Sequence, residues 1–138
     1  GIALGRAHIL RNLLINEFKD GKKTLVISDI TLKELSEAPD KVLEILNTIP
    51  EDNKKFINLT DEAVFLAKEY IKEKAVSSKF LGDAYHIALA TITKADVLVS
   101  WNFKHIVNLQ RIRLYNSVNL KLGYPMIEIR TPREVLDE

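Results

Sequence analysis

Three polar residues that lie far apart in the sequence have the chemistry of a divalent-metal site. They are Glu34, Asp83 and Asn102. Two carboxylates and an amide supply hard oxygen ligands, which suit Mg²⁺ or Mn²⁺ held together with several water molecules. A metal ion bound in this way can activate water and stabilise charge on a phosphate. The residue types therefore predict metal-assisted phosphate chemistry, provided that the fold brings them together.

Each of these residues lies near the end of a predicted element. The apolar run 96–100 predicts a strand, and Asn102 comes just past its carboxyl end. Asp83 opens a predicted helix that leads back into this strand. Glu34 lies about one turn into the helix that follows a predicted strand over 24–28. Because the carboxyl ends of parallel strands meet at one edge of a sheet, the three residues are expected to be neighbours there.

Predicted helices and strands alternate along the chain. Helical spacing and helix-ending residues predict helices over 6–19, 29–38, 40–49, 61–75, 83–94, about 105–116, and from 131 onwards. Short apolar runs predict strands over 24–28, 55–59, 96–100 and 126–129. Thr60 is a predicted N-cap, and “TPRE”, 131–134, has a Thr cap followed by Pro and Glu. The alternation predicts an α/β sandwich with a mostly parallel sheet.

Each candidate residue also has an ordinary structural interpretation. Asp83 could be an acid that stabilises the start of a helix. Glu34 could be a solvated residue on a short helix, and Asn102 a turn residue after a strand. His86 lies on the same helical face as Asp83 and could bind a metal or form a hydrogen bond from a buried position. His105 has no evident partner in the sequence.

Other motifs in the sequence narrow the class of protein. There is no HExxH pattern, which disfavours a zinc protease, and no GxGxxG or P-loop, which disfavours a dinucleotide or nucleotide site. Four basic residues could contact phosphates or simply form a solvated face: Lys104, Arg111, Arg113 and Lys121.

The composition is that of an ordinary globular domain. The chain has 138 residues, 46% hydrophobic and 28% charged, with 20 basic and 19 acidic residues and a formal net charge of +1. We expect a single domain over 1–138, since no linker divides the chain. There is no cysteine, which excludes a disulfide framework and permits a reducing cytoplasm. No apolar run approaches the roughly 20 residues of a membrane span, so we expect no membrane association.

Longer stretches of the sequence resemble a known family. The stretch “DAYHIALATITKADVLVSWNFKHI”, preceded by “VISDITLKEL”, resembles the PIN-domain family (PilT N-terminal type) and is similar to the VapC toxins of toxin–antitoxin pairs. The tail “NSVNLKLGYPMIEIRTPREVL” matches the same branch. The resemblance covers roughly residues 6–136.

The resemblance implies a fold, an activity and a set of site residues. The fold would be a three-layer α/β/α sandwich around a parallel sheet, and the activity metal-dependent endoribonuclease cleavage of RNA with Mg²⁺ or Mn²⁺. Glu34 and Asp83 match the family's acids, and Ser100 and Asn102 match its “T/S-x-D/N” pattern at the end of a strand. Asp29 would lie just outside the metal ligands.

The amino end departs from the family pattern. PIN domains begin with a central strand that ends in an Asp, which is a leading metal ligand. Here “GIALGRAHILRNLL” matches the first helix instead, and no Asp follows a strand before residue 20. We therefore expect the first strand and its Asp to be absent from this sequence, so that further residues, another segment or another chain fills the gap.

The resemblance also implies partners, and it leaves alternatives open. RNA would be the substrate, a small antitoxin protein could block the groove, and PIN domains often form homodimers. Without the first Asp, the chain could instead be a catalytically inactive PIN-like module that binds RNA or a protein. A purely structural subunit is a third possibility.

Overall fold

A computed structural model of the protein describes residues 2–4, 12–36, 44, 46–100 and 104–135. Its strands are, in chain order, β1 Ile2–Leu4, β2 Leu25–Ser28, β3 Lys54–Ile57, β4 Val97–Val99 and β5 Ile129–Arg130. The α-helices labelled in these ranges are α1 Asn12–Lys19, α2 Asp29–Ser36, α3 Asp61–Lys72, α4 Leu81–Ile92, α5 Leu109–Lys121 and α6 Pro132–Val135. The chain is therefore mixed α/β, which confirms the α/β class predicted from the alternation.

The strands form one parallel sheet with the order β3–β2–β1–β4–β5. The central strand is β1, in which Ile2 is in register with Leu25 of β2 on one side and with Val97 of β4 on the other. Because the strands run in the same direction, their carboxyl ends lie at one edge of the sheet. Both α2 and the segment after β4 start from that edge.

The expectation that the first, central strand is absent is wrong. Ile2–Leu4 form this strand. Its three residues are too few to show a strand period in the sequence, and pairing with β2 and β4 on both sides is what fixes them. The predicted helix over 6–19 is confirmed for Asn12–Lys19, and residues 5–11 lie outside the described residues. The missing Asp is a property of the sequence, which has no acidic residue before Glu17.

The interior and edge strands differ in burial. Strands β2 and β4 are buried along their whole length, which is typical of interior strands in a parallel sheet. The edge strand β3 instead exposes Lys55 and Phe56. A lysine on a short edge strand discourages pairing with the sheet of another molecule.

Side-chain caps set the starts of two helices at the predicted residues. At the start of α3, Thr60 Oγ1 accepts a hydrogen bond from the backbone N–H of Ala63 at 3.1 Å. At the start of α6, the Thr131 N–H donates to Glu134 Oε1 at 2.9 Å, and the Glu134 N–H donates to Thr131 Oγ1 at 3.3 Å. This reciprocal pair is the capping box that “TPRE” predicted.

Several predicted elements are displaced along the chain, and the helix expected over 83–94 is Leu81–Ile92. The helix expected at about 105–116 covers Leu109–Lys121 instead, because the Asn108 side chain accepts a hydrogen bond from the backbone three residues later and caps the helix there. The strand expected over 126–129 is Ile129–Arg130. Its extent is set by pairing with β4, which the sequence pattern does not contain.

The predicted helix over 40–49 lies partly outside the described residues, and Glu44, Leu46 and Asn47 within it are helical. Across the described ranges, no helix combines the length and the apolar character needed to cross a membrane.

A buried polar network joins α3 to α5 and to the segment before β5. Tyr70 Oη donates to Asn119 Oδ1 at 2.5 Å, and Asn119 Nδ2 donates to Asn116 Oδ1 at 3.2 Å. Asn116 Oδ1 also accepts a hydrogen bond from the backbone N–H of Ile127 at 2.7 Å, and Asn116 Nδ2 donates to the carbonyl oxygen of Ile127 at 3.1 Å. The network fixes α5 against the chain that enters the edge strand β5.

Candidate functional site

Helix α2 starts at the carboxyl edge of the sheet, directly after β2. Ser28, the last residue of β2, is buried, and its Oγ accepts a hydrogen bond from the backbone N–H of Thr31 at 3.1 Å. This cap begins α2 without an intervening loop. Glu34 therefore lies in the second turn of a helix whose first turn is anchored to the sheet.

The Glu34 carboxylate contacts α4 through a histidine. His86 Nε2 lies 2.9 Å from Glu34 Oε1. The His86 side chain is 3% exposed, whereas that of Glu34 is 37% exposed. A carboxylate that is ionised can only accept hydrogen bonds, and with such a carboxylate the imidazole is the donor, from Nε2. The contact brings an acid of α2 onto the surface of α4.

Asp83 lies one turn before His86 on α4. The two residues are three positions apart and so share one face of the helix. Asp83 is in the first turn and is 5% exposed. Burial raises the pKa of the Tyr115 phenol above its usual range, the Arg111 guanidinium opposes that rise, and the Asp83 carboxylate adds to it. The Asp83 carboxylate is thus close enough to Tyr115 to act on it electrostatically.

The segment after β4 carries the other two predicted site residues. Ser100 follows the strand and is fully buried, and its backbone N–H donates to the carbonyl oxygen of Arg130 at 3.1 Å. Asn102 lies outside the described residues, as do Trp101 and Phe103. The described structure therefore brings Glu34 together with the Asp83 helix and does not include Asn102.

Asp29 has a structural role within the described residues. Its Oδ1 accepts hydrogen bonds from the backbone N–H of Ile30 at 2.9 Å and from that of Leu59 at 3.0 Å. These bonds tie the start of α2 to the segment that follows β3.

His105, which had no evident partner in the sequence, has two contacts near the site. Its ring stacks on Phe80, with 3.7 Å between ring centroids, and its carbonyl oxygen accepts a hydrogen bond from Tyr115 Oη at 2.6 Å. Phe80 ends the 3-10 turn that leads into α4. Sequence reasoning missed the contacts of His105 with Phe80 and Tyr115, because they depend on how separate elements pack.

The basic residues do not form one uniform face. Arg111 Nη1 donates to the carbonyl oxygen of Ala75 at 2.8 Å, so its guanidinium supports the chain just after α3. Lys121 pairs with Glu73 at 2.7 Å. Lys104 and Arg113 are exposed.

The donors at the carboxyl edge fit a hard divalent cation in kind. Glu34 and Asp83 provide carboxylate oxygens from two elements, as Mg²⁺ and Mn²⁺ require. Within 12–36, 46–100 and 104–135, no three His, Asp or Glu residues come close enough to hold a metal ion by themselves. Further ligands would be water molecules, which Mg²⁺ commonly retains. Asn102, the third predicted ligand, lies outside the described residues.

Comparisons with known proteins include a distant structural likeness. No protein-family model and no curated protein matches the chain. Among solved structures, the chain is similar to the crystal structure of VapBC2 from Rickettsia felis bound to a DNA fragment from their promoter. The identity is 17% and the TM-score 0.49, over 95% of this chain and 98% of that chain. A likeness of this size does not establish a family or an activity.

Proposed function

We propose that the chain is a PIN-like, metal-dependent endoribonuclease, built as a three-layer α/β/α sandwich, that hydrolyses RNA phosphodiester bonds. The observation that supports the proposal is the 2.9 Å contact between Glu34 and His86. It draws a carboxylate of α2 to the face of α4 that carries the buried Asp83. Two acids from separate elements at the carboxyl edge of a parallel sheet would supply two of the oxygen ligands of a cation.

Each candidate site residue has a distinct role in this proposal. Asp83 and Glu34 would hold the ion, and Asn102 would add an amide oxygen. Ser100, buried at the end of β4, would fix the start of the segment that carries Asn102. When bound, Mg²⁺ or Mn²⁺ would lower the pKa of a bound water and stabilise charge on the scissile phosphate.

The motif resemblance supports a role in a toxin–antitoxin pair. We propose that the chain is the toxin, acting on RNA in the cytoplasm, and that a small antitoxin protein covers the carboxyl edge and blocks it. A homodimer is part of the same proposal.

The test is cleavage of a labelled single-stranded RNA by the purified full chain in Mn²⁺, with Asp83→Asn and Asp61→Asn as the compared variants. Both aspartates lie in the first turn of a twelve-residue helix, but Asp61 is exposed. We expect Asp83→Asn to lower cleavage roughly 100-fold or more, because several kcal/mol of metal-derived stabilisation would be lost. Asp61→Asn should cleave like the wild type, and EDTA should stop both.

Equal cleavage by the wild type and Asp83→Asn, insensitive to EDTA, would indicate a contaminating nuclease and remove the proposal. Equal loss in Asp83→Asn and Asp61→Asn would show that a first-turn acid matters only for helix stability.

A catalytically inactive PIN-like binding module is the second candidate. It is favoured by the sequence after β1, which ends at Leu4 and is followed by no acidic residue before Glu17. A site with fewer carboxylates would bind a divalent ion more weakly. This candidate predicts that the protein retains RNA in EDTA and does not cleave it in Mn²⁺. Loss of RNA binding on addition of EDTA would count against it.

A further inference from the structure

We propose that His86 is a positioning residue of the metal site, which holds the Glu34 carboxylate in place by donating a hydrogen bond from Nε2 to Oε1. This inference rests on the proposed metal-dependent function. In this proposal His86 contacts the metal ligand Glu34 and does not contact the ion itself.

The difference in burial between the two side chains supports the proposal that His86 positions Glu34 and not the reverse. The His86 ring is 3% exposed and lies on α4, so its position is set by packing. The Glu34 side chain is 37% exposed and has three rotatable bonds. Without a fixed donor, such a side chain would sample several rotamers in solvent. The buried imidazole therefore holds the mobile carboxylate.

The contact differs from that of a histidine that ligates through Nε2, because Nε2 lies 2.9 Å from Glu34 Oε1. An imidazole nitrogen that donates to a carboxylate has no lone pair for an ion at the same time. The hydrogen bond engages Oε1 of Glu34 and holds the carboxylate on the face of α4 that also carries Asp83. Partners that orient metal ligands in this way typically change metal affinity by about 10- to 100-fold.

The experiment measures Mn²⁺ affinity by calorimetry for the full chain and its His86 variants. His86→Leu removes the donor and should weaken binding by about 10- to 100-fold. His86→Gln places an amide nitrogen near the position of Nε2 and should recover most of the affinity. His86→Asn places its amide near the position of Nδ1, out of reach of Glu34, and should bind as weakly as His86→Leu.

Two further variants separate positioning from a general structural effect. Thr91→Val alters another buried residue of α4 and should lower stability without changing Mn²⁺ affinity. In a Glu34→Gln background, His86→Leu should cause little further loss, because its effect passes through the Glu34 carboxylate. If His86→Leu fails to fold, the contrast between His86→Gln and His86→Asn decides the question.

The outcomes distinguish this inference from the proposed function. If the wild type binds Mn²⁺ and cleaves RNA, and all three His86 variants bind Mn²⁺ as tightly as the wild type does, the inference is overturned and the proposed function stands. A full further loss from His86→Leu in the Glu34→Gln background would also overturn it. If the wild type binds no Mn²⁺, the proposed function falls and the inference falls with it.

Discussion

Two aspartates in the first turns of their helices have different surroundings in the folded chain. Asp61 and Asp83 each lie in the first turn of a helix, where an acid is favourable for the helix dipole. Asp61 is exposed, whereas Asp83 is 5% exposed and acts on the buried Tyr115. Spacing could identify both as helix-start acids, but it could not tell which one is buried beside other polar groups.

The contacts of the histidines show where sequence reasoning ends. His86 was placed correctly on the face of Asp83, because helical periodicity is a local property. Its bond to Glu34, 52 positions away in the sequence, depends on how α2 and α4 pack. The stacking of His105 on Phe80 likewise has no local signal.

The capping box of α6 gives a prediction at the scale of one carboxyl group. The pKa of Glu134 is lowered from its ordinary value, chiefly by the hydrogen bond from the Thr131 backbone and next by the Thr131 side chain. A lowered pKa means that the box stabilises the helix above the ordinary carboxyl pKa and stops doing so as the pH falls through the lowered value. Thr131→Ala should therefore raise the pKa of Glu134, measured by carbon NMR titration.

Thr60→Ala is the matched control for this titration, because it removes the cap hydroxyl of α3 instead. It should leave the Glu134 titration as in the wild type. The same Glu134 titration curve in Thr131→Ala and in the wild type would contradict the assigned role of the hydroxyl.

Several helices end in the same kind of turn, although the residue at its critical position differs. Gly21 and Gly123 have φ values of 79° and 84°, and Lys74 and Lys94 have 64° and 57°. At each, the following N–H bonds back to the helix, as Ala75 N–H does to the Tyr70 carbonyl at 2.9 Å. A side chain in this left-handed conformation costs roughly 1–2 kcal/mol, which glycine avoids.

We therefore expect Lys74→Gly to stabilise the protein by about 0.5–1 kcal/mol, after allowance for the greater freedom of glycine in the unfolded chain. Urea unfolding would measure this change. Lys72→Gly, at the last residue of α3, is the control and should destabilise by up to about 1 kcal/mol. If both substitutions destabilise equally, the left-handed strain at Lys74 is not a real cost.

Elements with local signals were predicted well, and elements defined by pairing were not. The cap residues Thr60 and Thr131 located the starts of α3 and α6, because a cap bonds within a few residues of itself. Strand β1 was missed because its strand character comes from β2 and β4 on either side. The displacement of the strand expected over 126–129 has the same cause.

At the scale of the whole molecule, a buried polar network joins helices that are distant in sequence. Asn119 is fully buried, accepts from Tyr70 and donates to Asn116. Asn119→Ala would leave buried partners without their hydrogen bonds, so it should destabilise by roughly 2–4 kcal/mol in urea unfolding. Ser117→Ala, at an exposed position of the same helix, should change stability by less than about 0.5 kcal/mol. Similar losses in both variants would contradict the network's importance.

The parallel topology is what made part of the candidate site predictable. Once strands and helices alternate, the rule that parallel strands end at one edge predicts that Glu34 and the start of the Asp83 helix lie at the same edge of the sheet. The contact between Glu34 and His86 of that helix agrees with this prediction, and a shared site of Glu34 and Asp83 stays a prediction. The rule predicts the edge of the sheet at which residues lie but not the contacts between their side chains, so it could not predict the contact of His86 with Glu34. The sequence alone shows that the acid expected after β1 is missing, because Gly5 and Arg6 follow Leu4.

The central claim is that Glu34 and Asp83 together hold a divalent cation at the carboxyl edge of the sheet. The most direct measurement is anomalous X-ray diffraction from crystals of the full chain soaked in Mn²⁺. We predict an anomalous peak within about 2–2.5 Å of a carboxylate oxygen of each residue, and its loss in crystals of Asp83→Asn. Absence of a peak at this edge in the wild type, or a peak that persists in Asp83→Asn, would contradict the claim.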